Sequence, residues 1–185
     1  MDNNRFKMFL GITLIVVILA GISFYIFKQL SDSNVDFNDY IPAQEISDEQ
    51  IRRTFVKLYF LGVESQQLQA ENREIDAKEL LSNPYMKLTN LLISGPNAKG
   101  FTTLIPNETK INAASLNGNT VLLDLSYHFI SNVSDVFTAS NMVYSIVNTL
   151  TELTEVTSVR FLIDGNGNAK FENCDFSLAE PFVRK

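Results

Sequence analysis

The chain has 185 residues, 45% of them hydrophobic, and a net charge of −6, with one cysteine and one histidine. This length favours a single domain of ordinary size beside any membrane segment. The acidic balance argues against nucleic acid as a ligand, and a single cysteine excludes an internal disulfide.

An uncharged run of 20 residues, 8–27, begins almost at the N-terminus. As a helix it would reach about 30 Å at ~1.5 Å per residue, which matches the hydrocarbon core of a bilayer. Arg5 and Lys7 precede the run and acidic residues follow it, so residues 1–7 are predicted to lie in the cytoplasm. We therefore predict a single-pass anchor in the cytoplasmic membrane, with the C-terminal part of the chain outside.

A cleaved signal peptide is the alternative interpretation of this run. Ile18 and Ala20 would form a poor cleavage site, and the apolar run continues past Ala20 to residue 27. Cys174 lies far from the run, so no thiol near the membrane could carry the acyl chains of a lipoprotein. An uncleaved protein anchor is favoured.

Residues 28–51 are rich in Ser, Asp and Asn and have neither a helical nor a strand period, so they are predicted to be a flexible tether. Residues 52–185 would then form one extracytoplasmic domain. The chain after residue 28 carries 12 basic and 20 acidic residues, a net charge of −8. That charge argues against anionic lipid headgroups as ligands.

The domain opens with a predicted strand at 54–61, whose two faces both look covered, and a second strand at 68–75 that returns as its hairpin partner. A helix follows. Asn83 is suited to cap it, Pro84 to begin it, and Gly95 with Pro96 to end it. Its buried stripe is predicted to be Tyr85, Leu88, Leu91 and Leu92.

Two further hairpins flank a second helix. The first joins 110–116 to 120–129 through Asn117-Gly118, a pair that favours a type I′ turn. The last joins 158–163 to 169–173 through the turn 164–168. The helix between them is predicted to bury one face, formed by Val136, Ala139, Val143, Ile146, Val147, Leu150 and Leu153, and to expose the opposite one, including Ser145 and Asn148. The order β-β-α-β-β-α-β-β predicts an α+β fold with two helices packed on one mixed or antiparallel sheet.

Two sets of residues resemble a catalytic triad and a calcium-binding loop. Asp124, Ser126 and His128 would share one face of the strand 120–129, but residues two apart on a strand lie ~7 Å apart, too far for proton transfer. Asp164, Asn166 and Asn168 begin a calcium-loop pattern that fails at its sixth position, Ala169, and at its twelfth, Asp175. We predict no catalytic residue, no metal site and no cofactor.

The order of several short motifs resembles the GerMN domain family of spore germination and sporulation proteins. The motifs are Val56-Lys-Leu-Tyr-Phe, Leu91-Leu-Ile-Ser-Gly-Pro96, Leu104-Ile-Pro106, Leu116-Asn-Gly-Asn-Thr-Val-Leu-Leu-Asp-Leu-Ser126, Val159-Arg-Phe-Leu-Ile-Asp-Gly165 and Phe176-Ser-Leu-Ala-Glu-Pro-Phe182. Nine of their residues are interpreted as fold-forming: Gly95, Pro96, Pro106, Asn117, Gly118, Asp124, Asp164, Gly165 and Pro181.

The resemblance implies a non-enzymatic extracytoplasmic domain, similar in fold to the ring-building motifs of secretion-type complexes. It also implies a connection with sporulation or spore germination. The chain departs from the protein that gives the family its name in two ways. It has one such domain rather than two, and a predicted membrane helix in place of a lipid-modified cysteine.

Two hypotheses follow for function. The first is a membrane-anchored scaffold of the bacterial cell envelope, with envelope proteins or further copies of the chain as partners and residues 8–27 in the membrane. The alternative is a peptidoglycan-binding or amidase-positioning module that uses tyrosines such as Tyr127 and Tyr144, although the chain has no Trp to act as a sugar platform. The scaffold hypothesis predicts an exposed strand edge or an apolar patch.

Overall fold

The computed structural model describes residues 18–29 and 52–185. The chain divides into two compact units, Met1–Glu45 and Ile46–Lys185, and residues 18–29 of the first are helical. Among the helices described, none has the length and apolarity needed to cross a bilayer. Part of the predicted anchor at 8–27 lies outside the described residues. Residues 1–7 and most of the predicted tether also lie outside them.

Within residues 52–185 the strands form two sheets rather than the single sheet predicted from the sequence. An antiparallel sheet has the order β2-β1-β3 and consists of β1 (Arg53–Gly62), β2 (Leu68–Asp76) and β3 (Phe101–Thr102). A mixed sheet has the order β4-β5-β6-β7 and consists of β4 (Ile111–Asn117), β5 (Thr120–Leu125), β6 (Ser158–Ile163) and β7 (Phe182–Val183). Three helices accompany them: α1 (Lys78–Leu81), α2 (Pro84–Ile93) and α3 (Val136–Leu150). The α+β class is confirmed.

The residues that begin and end α2 are those predicted from the sequence. The Asn83 side chain accepts a hydrogen bond from the Met86 N–H at 2.9 Å, and Pro84 occupies the first helical position. Gly95 follows the helix with φ at +88°, a conformation that glycine adopts without steric cost. The Asn83 amide also donates to the Ala114 carbonyl of β4 at 2.8 Å. One asparagine thus begins the helix and joins it to the second sheet.

α3 is buried on more faces than its apolar stripe predicts. The predicted core residues Ala139, Val143, Ile146, Val147 and Leu150 are fully buried, whereas Val136 at the first turn is exposed. Ser145 and Asn148, on the predicted polar side, are also buried, as is Thr149. The reason is that α3 contacts strands of both sheets, β1 and β2 in one and β6 and β7 in the other.

The parallel pairing of β5 with β6 explains the path of the chain. Their register runs from Thr120 opposite Ser158 to Leu125 opposite Ile163. Two adjacent parallel strands need a crossover connection, and α3 provides it. The chain reaches α3 through a 3₁₀ turn, Tyr127–Phe129, so the predicted extension of the strand to residue 129 is wrong.

The predicted last hairpin is also wrong. Residues 169–171 lie instead beside residues 176–178, where Lys170 pairs with Ser177, and the strand that pairs with the start of β6 is β7. Residues 169–173 contain Ala169 and Phe171, both buried, which explains their strand-like alternation. An aromatic series holds this C-terminal segment to the domain: Phe129–Phe171, Phe171–Phe176, Phe176–Phe182 and Phe161–Phe182, with ring centroids 5.7 to 5.9 Å apart.

Candidate functional site

The residues that imitate a catalytic triad are not brought together. His128 lies exposed in the 3₁₀ turn, off the strand that carries Asp124. The Asp124 carboxylate accepts the Gly165 N–H at 3.0 Å, and the Ser126 hydroxyl oxygen accepts the Lys110 N–H at 3.0 Å. Both side chains therefore bond backbone groups of neighbouring loops.

The segment 164–168 forms a tight turn. Ile163 and Asn166 exchange backbone hydrogen bonds of 3.0 and 2.9 Å, and the two central residues, Asp164 and Gly165, have φ values of +47° and +81°. Positive φ at both central positions is the pattern of a type I′ turn. The Asp164 carboxylate accepts hydrogen bonds from the Asn112 amide at 3.0 Å and the Tyr127 N–H at 3.1 Å. Within the described residues, no group of three His, Cys, Asp or Glu side chains could hold a metal ion.

The turn between β4 and β5 differs from its prediction. Asn117 pairs with Thr120, so the central residues are Gly118 and Asn119 rather than Asn117 and Gly118. Of these two, only Gly118 has a positive φ, at +61°. Positive φ at the first central position alone is typical of a type II′ turn, in which glycine occupies that position.

The other fold-forming residues lie in loops. The Gly95 carbonyl accepts a hydrogen bond from Arg73, and Pro96 leads away from α2. The Pro106 carbonyl accepts the Thr109 N–H at 3.0 Å. Pro181 is exposed and immediately precedes β7.

Two residues of β2, Glu71 and Arg73, form a buried ion pair. The Arg73 Nε donates to Glu71 Oε1 at 2.9 Å, and the Arg73 Nη2 donates to the Gly95 carbonyl at 2.9 Å. The other oxygen, Glu71 Oε2, accepts the backbone N–H groups of Asn97 at 2.9 Å and Ala98 at 3.0 Å. Because both charged groups are less than a tenth exposed, these bonds replace the water that each has lost. The pair fixes the loop after α2 against β2.

The pKa of Glu71 reflects this environment. Burial opposes ionisation and acts to raise the pKa, but the hydrogen bonds from Ala98, Arg73 and Asn97 and the charge of Arg73 together outweigh burial. The pKa of Glu71 therefore lies below its usual value. The carboxylate is ionised at neutral pH and stabilises the fold in that form.

The direction of the hydrogen bonds in β1 shows which backbone groups of β2 face outward. The Tyr59 N–H donates to the Thr149 hydroxyl of α3 at 3.0 Å, so it points away from β2. Tyr59 lies opposite Ala70. Since bonded and non-bonded pairs alternate in an antiparallel ladder, Glu71 and Arg73 bond β1 while Ala70 and its even-numbered neighbours do not.

The outer edge of β2 is therefore open in the part of the chain that the structure describes. The N–H and C=O groups of Ala70, Asn72 and Glu74 face away from β1 and make no hydrogen bond within residues 18–29 and 52–185. The side chains of the same three residues are exposed. On the face of the sheet beside them, Phe55 of β1 is 72% exposed, which corrects the expectation that both faces of this strand are covered.

The other long edge strand, β4, is protected. Its ladder with β5 shifts register between Ile111 and Ala113, which is a bulge. The Ala114 carbonyl is occupied by the Asn83 amide. Bulges and covered carbonyls are ways in which edge strands avoid unintended pairing. Of the two long edge strands in the described residues, β2 is the one with a continuous row of backbone groups that make no hydrogen bond there.

A second surface feature surrounds Tyr127. This residue is 43% exposed and borders a cleft of about 410 Å³. The cleft is lined by Ile130, Ile163 and Ala169 at its apolar part and by Asp164, Asn166, Asn168, Lys170 and Glu172 at its polar part. Tyr144 is different, because its ring packs edge-on against Phe182 at 5.9 Å. Tyr127 is the more open aromatic platform of the two.

The domain thus belongs to a class of α+β domains with two sheets and one shared buried helix. The chain belongs to the Germane family, described as "Sporulation and spore germination", whose model matches residues 57–168. The resemblance to GerMN domains is confirmed. No curated protein matches the chain.

Two solved structures from Bacillus subtilis have a similar fold. The tandem GerMN domains of the sporulation protein GerM are 24% identical, with a TM-score of 0.60, and the match covers 73% of this chain and 46% of that one. The first GerMN domain of the same protein is 19% identical, with a TM-score of 0.51, over 61% of this chain and 84% of that one. The chain thus spans about half the length of the tandem protein. At these identities the likeness is one of fold.

The sequence interpretation missed the buried ion pair and the open edge. The signal for the pair was the alternation Glu71, Arg73, Ile75, which places two opposite charges on the buried face of a strand. The same inward charges also indicated an edge strand, because inward-pointing charges are one way in which edge strands limit unintended pairing.

We expect Glu71→Gln to lower the free energy of unfolding by about 3 kcal/mol at pH 7, because it leaves Arg73 buried without its counterion. The wild-type stability should also fall as the pH drops below 4.5, the ordinary pKa of the carboxyl group. The unfolded carboxyl then binds a proton that the folded one resists. Urea unfolding between pH 3 and pH 7 measures both effects.

The matched control is Glu74→Gln on the same strand as Glu71, which removes an exposed carboxylate paired with Arg53 of β1. We expect it to change stability by less than about 0.5 kcal/mol. Glu71→Gln should also make stability fall less at acid pH. Part of the fall should remain, because the pKa values of Glu152 and Asp135 are lowered too. Equal effects of the two substitutions would contradict the role assigned to the buried pair.

Proposed function

We propose that the chain is a single-pass, membrane-anchored scaffold protein of the bacterial cell envelope, acting in sporulation or spore germination. Residues 8–27 form the anchor, and the domain at 52–185 lies outside the cytoplasmic membrane. The domain is not an enzyme. It binds other envelope proteins through the outer edge of β2.

The open edge of β2 is the observation that carries this proposal. Strand addition uses a row of free backbone N–H and C=O groups, and the row at Ala70, Asn72 and Glu74 is such a surface. The exposed Phe55 supplies apolar contact area beside it. Family membership supports the sporulation context, and the uncharged run 8–27 with its basic flank supports the anchor and its orientation.

Cross-linking in sporulating cells tests the proposal. A photo-reactive amino acid at position 72 of the full chain should capture membrane or envelope proteins that have an extracytoplasmic domain, and the adducts should sediment with the membranes. The control position is Asn90 of α2, which is exposed but lines neither cleft beside β2 and should capture none of these proteins. Mass spectrometry identifies the adducts.

Asn72→Pro and Asn72→Thr form a matched pair that examines the edge itself. Proline removes the outward N–H but leaves the ladder with β1 intact, because this N–H does not bond β1. Threonine retains the N–H. We expect Asn72→Pro to lower partner recovery roughly tenfold, with recovery measured from a tag at the C-terminus, and Asn72→Thr to leave it unchanged. Equal recovery from the two variants, or a chain found in the soluble fraction, would contradict the proposal.

The alternative function is binding of peptidoglycan, favoured by the cleft beside Tyr127. An exposed aromatic ring next to amide and carboxylate side chains is suited to stack on a sugar and bond its hydroxyl groups. In this alternative the domain would hold a wall-remodelling enzyme near its substrate.

Co-sedimentation with purified peptidoglycan tests the alternative. We expect Tyr127→Ala to lower the bound fraction about threefold to tenfold, because one aromatic contact usually contributes a free energy of that order to binding. Phe137→Ala is the control, because Phe137 is also a half-exposed aromatic residue but does not line the cleft. If the wild-type chain stays in the supernatant, or if the two variants bind equally, the alternative is excluded.

A further inference from the structure

We propose that the edge of β2 is a self-pairing surface, at which the β2 strands of two copies of this chain hydrogen-bond antiparallel about a two-fold axis at Asn72. This inference rests on the open edge of the proposed function and names its occupant. It would make the two antiparallel three-stranded sheets one continuous six-stranded sheet.

The backbone restricts the registers that two copies can adopt. Only even-numbered residues of β2 direct their N–H and C=O groups outward, so an even residue of one copy must face an even residue of the other. With the axis at Asn72, that residue faces itself, and Ala70 faces Glu74 of the second copy. About six backbone hydrogen bonds would form from these three pairs.

The buried charges favour this register over the two adjacent ones. With the axis at Asn72, Glu71 lies opposite Arg73 of the second copy, and Arg73 lies opposite Glu71. Moving the axis by one residue toward the N-terminus places Glu71 opposite Glu71. Moving it one residue toward the C-terminus places Arg73 opposite Arg73. Like charges directly opposite each other destabilise a strand pair, and opposite charges stabilise it. The strand is therefore complementary to itself about Asn72.

The side chains on the exposed face of β2 are compatible with the same register. Glu74 lies opposite the small, uncharged Ala70 of the second copy, and the two Asn72 side chains lie opposite each other, where their amides can hydrogen-bond. No two like charges meet on this face in the central part of the strand pair. Glu74 also keeps its own ion pair with Arg53, because that contact lies within one copy.

The surroundings of β2 leave space for a second strand. A groove of about 400 Å³ runs along the edge, lined by residues 71–74 of the strand and by Asn97 and Ala98 of the loop below it. The N–H groups of Asn97 and Ala98 bond the Glu71 carboxylate, which fixes the position of the loop at the groove. A strand added at the edge would therefore meet open backbone groups, with the loop forming one wall of the groove.

Disulfide trapping in the full chain tests the pairing. The background is Cys174→Ser, which removes the one native thiol. Facing residues of a hydrogen-bonded antiparallel pair have Cα atoms about 5.5 Å apart, within the range that a disulfide spans. We expect Asn72→Cys to form a covalent dimer on mild oxidation, at least about tenfold more than Asn90→Cys on the exposed face of α2. Non-reducing electrophoresis measures the yield.

A mixture of two variants determines the register. Coexpressed chains carrying Ala70→Cys and Glu74→Cys should cross-link to each other, whereas each variant alone should not, because the two copies of one residue would lie about 13 Å apart. Cross-linking of Asn72→Cys with Ala70→Cys or with Glu74→Cys in preference to itself would mean a shifted register and would overturn the inference. So would the absence of a dimer from all combinations.

The outcomes distinguish this inference from the proposed function. If position 72 captures other envelope proteins while the cysteine variants stay monomeric, the scaffold proposal stands and self-pairing is wrong. If the dimer forms and no envelope protein is captured, self-pairing stands and the scaffold proposal fails. Asn72→Pro, which removes the outward N–H at the axis, should lower dimer yield from the Ala70→Cys and Glu74→Cys mixture at least about fivefold.

Discussion

The burial of α3 between the two sheets is the constraint on which the rest of the structure depends. The helix is the crossover between the parallel strands β5 and β6, and it also contacts β1 and β2. Its Thr149 hydroxyl accepts the Tyr59 N–H and so occupies a place that a neighbouring strand would take beside β1. One side of β1 is thereby closed over much of its length by a helix and the short strand β3. Among residues 52–185, the antiparallel sheet is left with a single long edge, which is β2.

Local features of the fold could be predicted from the sequence because they depend on neighbouring residues. The cap at Asn83, the stop at Gly95 and the hairpin of β1 with β2 all follow from short patterns, and each is confirmed. The division of the strands into two sheets could not be predicted, because strand alternation does not specify which strands pair. The predicted strand at 169–173 was wrong for a similar reason, since the packing of Phe171 against Phe129 and Phe176 buries alternate residues as a ladder would.

The candidate site depends on non-local arrangement. The alternation Glu71, Arg73, Ile75 indicates that the two charges share the buried face of β2. Their partners at Gly95, Asn97 and Ala98 are more than 20 residues away and could not be predicted from it. A buried, fully bonded ion pair adds little net stability but strongly disfavours alternative arrangements that would separate its charges. In β2 it fixes the position of the loop at the groove along the open edge. The same charges would then make the strand selective about what it pairs with.

The most direct test of an open outer edge on β2 is the exchange rate of individual backbone amides in the full chain, at a dilution where the copies are separate. We expect the N–H groups of Glu71 and Arg73, bonded to β1, to exchange at least about a hundredfold more slowly than those of Ala70, Asn72 and Glu74. Similar protection of both sets at that dilution would mean that the outer edge of β2 is already covered and not open.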